Sequence, residues 1–464
     1  MFTDSRQKKG QILMRLMMFT CMISSMSALM FNVVLPQISE EFHLTLAQVS
    51  WLTSSYTLIY AFGTVTYGKL ADRFQLKSLL TFGMTLFAAG SLIGLASQTF
   101  GIALLARCLQ SAGASVVPAI SLIIPVRYFA PEKRGSAISM STVGIALGSA
   151  LAPVISGIVV SYLNWHWLFL PPLLMLALLP LYRKYLEDEP KGAPKTFDWL
   201  GGGLLASTIS LLLLGVTNQT WWYLIAGLVT LLLFIVRTQT AKEPFIQPRL
   251  FQNKAYTIAQ TLAFLIASIG TSLFILTPIL FAQVYHLDSN WIGFAMVPAA
   301  IASSILGRKG GKLADLKSNT YLFSVASSSI ITCFVLLSIF TGTISPLWIS
   351  LFLIFGNVGQ SFIQIAMSNT SSRTLSKDQV GVGMGLYSMI SFIAQGVATS
   401  VYGLVATQSS SVSWNPLHSD SDSSLFSNTY LVLAVLHVGI LLFYRLQFRT
   451  RNSGVSIKSS ANQN

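Results

Sequence analysis

Charge is what this sequence most lacks. Only 9% of its 464 residues are Asp, Glu, Lys or Arg, where a soluble domain carries roughly 25%. Short core-sized apolar patches are missing as well. The apolar residues, 53% of the chain, gather instead into runs of about 20, the length that crosses a ~30 Å hydrocarbon layer as a helix. A soluble enzyme, a nucleic-acid binder and a secreted scaffold are thereby excluded. The three cysteines, Cys21, Cys108 and Cys333, lie inside apolar runs and follow no disulfide or metal spacing. Ser/His/Asp and Cys/His constellations and phosphate-cradling glycine loops are absent too. No enzyme chemistry, metal, cofactor or ATP hydrolysis is therefore expected. What is present describes an all-α polytopic membrane protein. Arg6, Lys8 and Lys9 precede an apolar run with no small-residue cleavage site after it, so that run reads as a retained first span.

Breaks at charged and at Pro- or Gly-rich stretches give fourteen spans: 12–35, 50–70, 79–97, 100–126, 136–161, 165–184, 199–217, 220–238, 257–284, 291–306, 321–341, 346–367, 381–405 and 428–445. The positive-inside rule tests the count. With the N-terminus inside, every basic residue except Arg107 falls in an inner segment, and the outer loops receive none. Both ends are then cytoplasmic. Trp51, Trp165, Trp167, Trp221, Trp222, Trp291 and Trp348 fall near outer helix ends, as an interfacial aromatic belt requires. Residues 408–426, rich in Ser and Asp, read as a flexible outer loop.

A repeat organises the chain. Gly68-Lys69-Leu70-Ala71-Asp72 closes the second span, and the same five residues return as Gly311-Lys312-Leu313-Ala314-Asp315 after the tenth. The domains are then 1–190, a six-helix bundle; 191–250, an inserted helix pair with its linkers; 251–449, a second six-helix bundle; and 450–464, a disordered cytoplasmic tail. Repeated halves with a site between them near the midplane are the plan of a transporter.

Individual residues carry physical readings of their own. Asp72, between basic residues at a helix end, can bridge to a neighbouring helix and latch the inner side, and Asp315 has the same surroundings in the other half. Arg107 is a charge inside a span, expensive there and a functional candidate by default, with Gln110 one turn away on the same face. Asn357, Gln360 and Gln364 make one polar stripe on an apolar helix, lining a substrate path or bonding across helices. Gly148, Pro153 and Gly157 put small residues and a bend on the fifth span, where helices could approach closely.

Together these motifs resemble the major facilitator superfamily, and within it the fourteen-helix drug:proton antiporters, the tetracycline exporters of Gram-positive bacteria most of all. Gly68 to Arg73 with Lys77 matches the superfamily's loop between helices 2 and 3. Leu104 to Gly113, with Arg107 and Gln110, matches its helix-4 motif, and Gly148 through Pro153 to Gly157 its helix-5 antiporter signature. Asn32-Val33-Val34-Leu35-Pro36 closes helix 1 in the family manner. Asn164 to Phe169 and Glu243-Pro244-Phe245 are typical of the fourteen-helix branch. The resemblance implies a major facilitator fold of two six-helix bundles plus two inserted helices. It implies a monomer in the bacterial plasma membrane, partnered by lipid, a small-molecule substrate and protons. The function it implies is proton-driven efflux of multidrug or tetracycline type by alternating access. Arg107, Gln110, Asn32, Asn357, Gln360 and Gln364 would serve substrate or coupling, and Gly68, Asp72, Arg73 and Asp315 the gates.

The chain also departs from that pattern. Many such antiporters carry an acid in helix 1, and the tetracycline exporters another in helix 5. Here those positions read Ser27-Ala28 and Ser149, and none of the 15 acidic residues lies within a span. An Arg-bearing, acid-free cavity suits an anion, so the alternative reading is an exporter of an endogenous anionic metabolite such as a carboxylate siderophore.

Overall fold

Lipid offers backbone amides no hydrogen bonds, so apolar runs of this length become helices. The computed structural model describes residues 4–460 other than 45, 50, 188–197, 218–219, 288, 377–378, 407, 409–413, 419 and 421. Residues 191–197, the start of the linker ahead of the inserted pair, therefore lie outside the described residues.

The first half comprises α1 (Asp4–Met30), α2 (Trp51–Ala71), α3 (Leu76–Leu95), α4 (Phe100–Tyr128, broken at Ser115), α5 (Arg134–Tyr162) and α6 (Met175–Tyr185), which two 3₁₀ turns precede. An inserted pair follows, α7 (Trp199–Thr217) and α8 (Trp221–Thr240). The second half holds α9 (Lys254–Gln283), α10 (Ser289–Leu316), α11 (Asn319–Phe340), α12 (Pro346–Arg373), α13 (Val380–Ala406) and α14 (Ser424–Ser460).

Twelve of the described helices are long and apolar enough to cross a membrane, where the sequence reading expects fourteen. The two that fall short do so for different reasons. Helix α2 has the length, but its apolar residues are diluted by Thr, Ser and Tyr, whereas the apolar described part of α7 runs only over Trp199–Leu212.

Several boundaries also differ from the expected ones. Helix α1 begins at Asp4, ahead of the apolar run, because its basic first turns find an anchor: Lys9 Nζ lies 3.0 Å from Glu187 Oε1. Helix α10 continues past 306 to Leu316, so the second copy of the repeat is helical through Asp315. Helix α14 runs on as helix to Ser460, through most of the stretch expected to be a disordered tail. The described residues of the 408–426 loop are tied down: Asn415 Nδ2 donates to Ser338 Oγ at 2.9 Å, and Ser423 Oγ to Thr341 O at 3.0 Å.

Within each half the helices pack pairwise, α1 along α5 and α3 along α4 in the first, α9 along α13 and α11 along α12 in the second. The halves meet along two seams, α5 against α10 and α2 against α13. The inserted pair packs on itself, and α7 leans on α13 and α2. Large apolar side chains cover the outside, among them Leu232 and Phe82 at 62% exposure. That is a surface made for lipid. Below, the end carrying residues 68–73 and 308–317 is termed the basic end.

Candidate functional site

The first four N–H groups of a helix have no intrahelical acceptor and carry its positive dipole end, so a carboxylate there is favoured. The repeated aspartates use this across the seams. Asp72, just past α2, accepts the Gly381 N–H on Oδ1 at 3.1 Å and the Val382 N–H on Oδ2 at 3.2 Å, in the first turn of α13. Asp315, in the last turn of α10, accepts the Gly135 N–H at 3.0 Å and the Ser136 N–H at 2.9 Å, in the first turn of α5. Each half therefore caps a helix of the other half, and the basic end is closed.

Glycines let the backbones come close enough for this. A Cβ on Gly68 would stand 2.5 Å from the Gly381 carbonyl oxygen, and one on Gly311 would stand 2.6 Å from the Gly135 carbonyl oxygen. Arg373, at the end of α12, adds a bond from Nη2 to Pro131 O at 3.2 Å. Arg73 contributes to neither cap. Its guanidinium lies 5.3 Å over the Phe74 ring.

Beside this closure sits a clasp that holds the inserted pair. Lys69 Nζ donates to Pro244 O at 2.6 Å and to Phe245 O at 2.8 Å. The buried Phe245 ring stacks on Phe62 at 6.2 Å. Asp198, at the head of α7, accepts from Arg237, from Gly201 N and from Phe245 N. Burial pushes its carboxyl up, but those three donors together outweigh burial and hold it below the usual carboxylate range. The Glu243-Pro244-Phe245 motif thus fastens the inserted helices to α2.

Arg107 is fully buried. Its guanidinium is sandwiched between the Phe31 ring at 4.2 Å and the Tyr56 ring at 4.1 Å, a favourable cation–π geometry. Nη1 donates to Ser27 O at 3.2 Å and to Gln110 Oε1 at 3.0 Å, and Nε to Leu52 O at 3.4 Å. Gln110 passes the chain on, its Nε2 donating to Ser91 Oγ at 2.8 Å. These acceptors hold the guanidinium inside the bundle, away from either membrane surface. Asn32 is exposed and stands apart from the cluster; its neighbour Phe31 is the member that counts.

Other candidates are scattered. Gln360 lies against Gly270 of α9, Gln364 is exposed, and Asn357 Nδ2 bonds back to Leu353 O in its own helix at 3.1 Å. In the first half, Ser24 Oγ meets the Tyr60 hydroxyl at 3.3 Å, and Ser25 Oγ meets Ser149 Oγ at 3.0 Å. Tyr60 reaches across the seam edge-on to Phe392 of α13 at 4.9 Å. On α5, a Cβ on Gly148 would run into the Met22 carbonyl of α1, whereas one on Gly157 would meet nothing within 4 Å. The Pro153 side chain lies outside the described residues. His437 is buried in α14 with both ring nitrogens unpartnered.

What sequence reasoning missed are the partners: Gly381 and Gly135 for the aspartates, Phe31 and Tyr56 for the arginine. For the first pair a signal existed, because each lies second in a helix that begins after a charged loop.

Two helical bundles meeting along two pseudo-equivalent seams, each latched by a carboxylate from a repeated motif, define a membrane transporter rather than an enzyme. Residues 17–399 match the family model of the Major Facilitator Superfamily, and the chain belongs to that superfamily. It is similar to Multidrug resistance protein 3 of Bacillus subtilis (strain 168), at 28% identity over 370 residues, 77% of this chain and 72% of that one. It is also similar to the riboflavin transporter RibZ of Clostridioides difficile (strain 630), at 26% identity over 301 residues, 63% of this chain and 65% of that one. Among solved structures, the human organic anion transporter MFSD10 (TETRAN) shares the fold, with a TM-score of 0.63 and 15% identity, covering 95% of this chain and 100% of that one.

Proposed function

We propose that this protein is a monomeric, proton-driven exporter of multidrug or tetracycline type in a bacterial plasma membrane, with fourteen spans and both termini cytoplasmic. The observation that carries the reading is the reciprocal capping by Asp72 and Asp315. Bonds of this kind close one side of the bundle yet break easily once water enters, which is what alternating access needs. The basic end is then the cytoplasmic side.

Cargo meets uncharged groups, Ser25, Tyr60 and Ser149 on the first half with Gln360 and Gln364 on the second, which suits amphiphilic drugs. Arg107 and Gln110 serve coupling from behind that surface. Protonating Asp72 and Asp315 removes the charge that holds two helix N-termini, giving the gradient a handle on the gate although no acid lies in the middle of a span. The similarity to Multidrug resistance protein 3 supports this class of cargo. One observation favours the second reading, export of an anionic metabolite: every hydrogen-bond acceptor on Arg107 is neutral.

Inverted vesicles containing the protein, offered a cationic drug, tetracycline, riboflavin and a citrate-type siderophore with and without a proton gradient, test both readings. Uptake of drug or tetracycline that collapses with the gradient is expected. Uptake of the siderophore alone would replace the drug reading with the anionic one.

The fourteen-span topology has its own test, in a cysteine-free background. Thr220→Cys, between α7 and α8, and Thr343→Cys, between α11 and α12, should react quickly with an impermeant thiol reagent outside cells. Leu316→Cys should react only after permeabilisation. A protected Thr220→Cys beside a reactive Thr343→Cys would mean that α7 and α8 do not span as a pair.

A further inference from the structure

Arg107 has one edge unused. Nε and Nη1 are spent on Leu52 O, Ser27 O and Gln110 Oε1, while Nη2 is buried without a partner. Two buried hydroxyls, those of Ser27 and Tyr56, meet no acceptor in good hydrogen-bond geometry, although they lie beside each other and Tyr56 lies beside Ser24. They belong to the same cluster. The Arg107 guanidinium lies over the Tyr56 ring, the Ser27 carbonyl takes Nη1, and the Ser27 hydroxyl lies beside that of Tyr56.

All three groups can donate, and Nη2 can do nothing else. A buried guanidinium whose acceptors are two carbonyls and an amide keeps its full positive charge, and a buried cation without a counter-charge is strongly disfavoured. The two rings offset part of that charge. A water molecule would complete the hydrogen bonds and leave the charge unbalanced. We propose that the Nη2 edge of Arg107, with Ser27 Oγ and the Tyr56 hydroxyl, binds a small monovalent anion of halide size. The size follows from enclosure: Arg107, Gln110 and Ser27 are 0% exposed and Tyr56 is 2% exposed, so an organic anion cannot enter in this state. The site is a resident counter-ion position and holds whatever the cargo.

Purified full-length protein in detergent tests it, with sodium chloride or bromide compared against sodium gluconate at equal ionic strength. The unfolding midpoint should rise with halide and saturate, because an ion that binds only the folded state stabilises it by mass action. Crystals grown in bromide should show an anomalous peak at hydrogen-bond distance from Nη2. Arg107→Gln should abolish the halide dependence. Ser27→Ala combined with Tyr56→Phe keeps the cation, and should raise the half-saturating halide concentration at least tenfold even if Arg107→Gln cannot be recovered folded. Three outcomes would overturn the site: equal midpoints in halide and gluconate, a halide response unchanged in the variants, or a water without anomalous signal at Nη2.

Discussion

Removing the charge from both gate aspartates, Asp72→Asn with Asp315→Asn, is expected to unlock the basic end and nearly abolish transport. Each carboxylate takes two backbone N–H groups at a helix N-terminus. Asn keeps one oxygen for one N–H but loses the second bond and the charge at the helix N-terminus, together about 1–2 kcal/mol. Since ~1.4 kcal/mol is a factor of ten in an equilibrium, each single variant should shift the closed-to-open ratio about tenfold. The two caps share no partner and sit on different seams, so their effects should add. The double variant should then shift the ratio about a hundredfold.

Ser139, buried beside Gly311 in the α5–α10 seam, is a suitable reporter. Ser139→Cys in a cysteine-free background should react with a thiol reagent about ten times faster in each single variant and about a hundred times faster in the double. Membrane abundance should stay near parental, and the double variant's remaining transport should respond little to the proton gradient. Parental labelling and transport in the double variant would reduce Asp72 and Asp315 to topology signals.

How far the sequence carries this picture depends on distance along the chain. The helices follow from apolar length, and their order from the position of basic residues, because both properties are local. The repeat made Asp72 and Asp315 visible as a pair. Their donors could be suspected only from their place at a helix start, because Gly381 lies 309 residues from Asp72 and Gly135 lies 180 from Asp315, and neither segment names which aspartate it meets. Arg107 stood out as a lone charge in a span, yet Phe31 and Tyr56 around it read as ordinary aromatic residues of α1 and α2. Small-residue spacing on α5 suggested close approach at both Gly148 and Gly157. Only at Gly148 would a Cβ meet a neighbouring backbone, because a tight seam needs a partner helix on that face as well as a small residue.

That difference between glycines leads to the other large effect. Gly68→Ala and Gly311→Ala each add one methyl group where the structure has a carbonyl oxygen at 2.5 and 2.6 Å, well inside van der Waals contact at ~3.5 Å or more. At Gly311 the Ser139 side chain stands closer still and could turn aside, but the carbonyls of Gly381 and Gly135 could not. The clashing atoms are the backbones of Gly381 and Gly135, themselves held by the aspartate caps, so the helices must separate and the caps must stretch. Intrinsic preference runs the other way, since Ala favours a helix interior over Gly by roughly 0.5–1 kcal/mol. Each variant should therefore insert and accumulate normally, transport at a small fraction of the parental rate, and expose the Ser139→Cys reporter. Gly157→Ala gains the same helix preference with nothing within 4 Å, and should keep near-parental transport and a protected reporter. Transport damaged equally in all three variants would show that glycine flexibility, rather than seam contact, is what the transporter requires. Parental transport in Gly68→Ala and Gly311→Ala would mean that the seams need not close this tightly for the cycle to run.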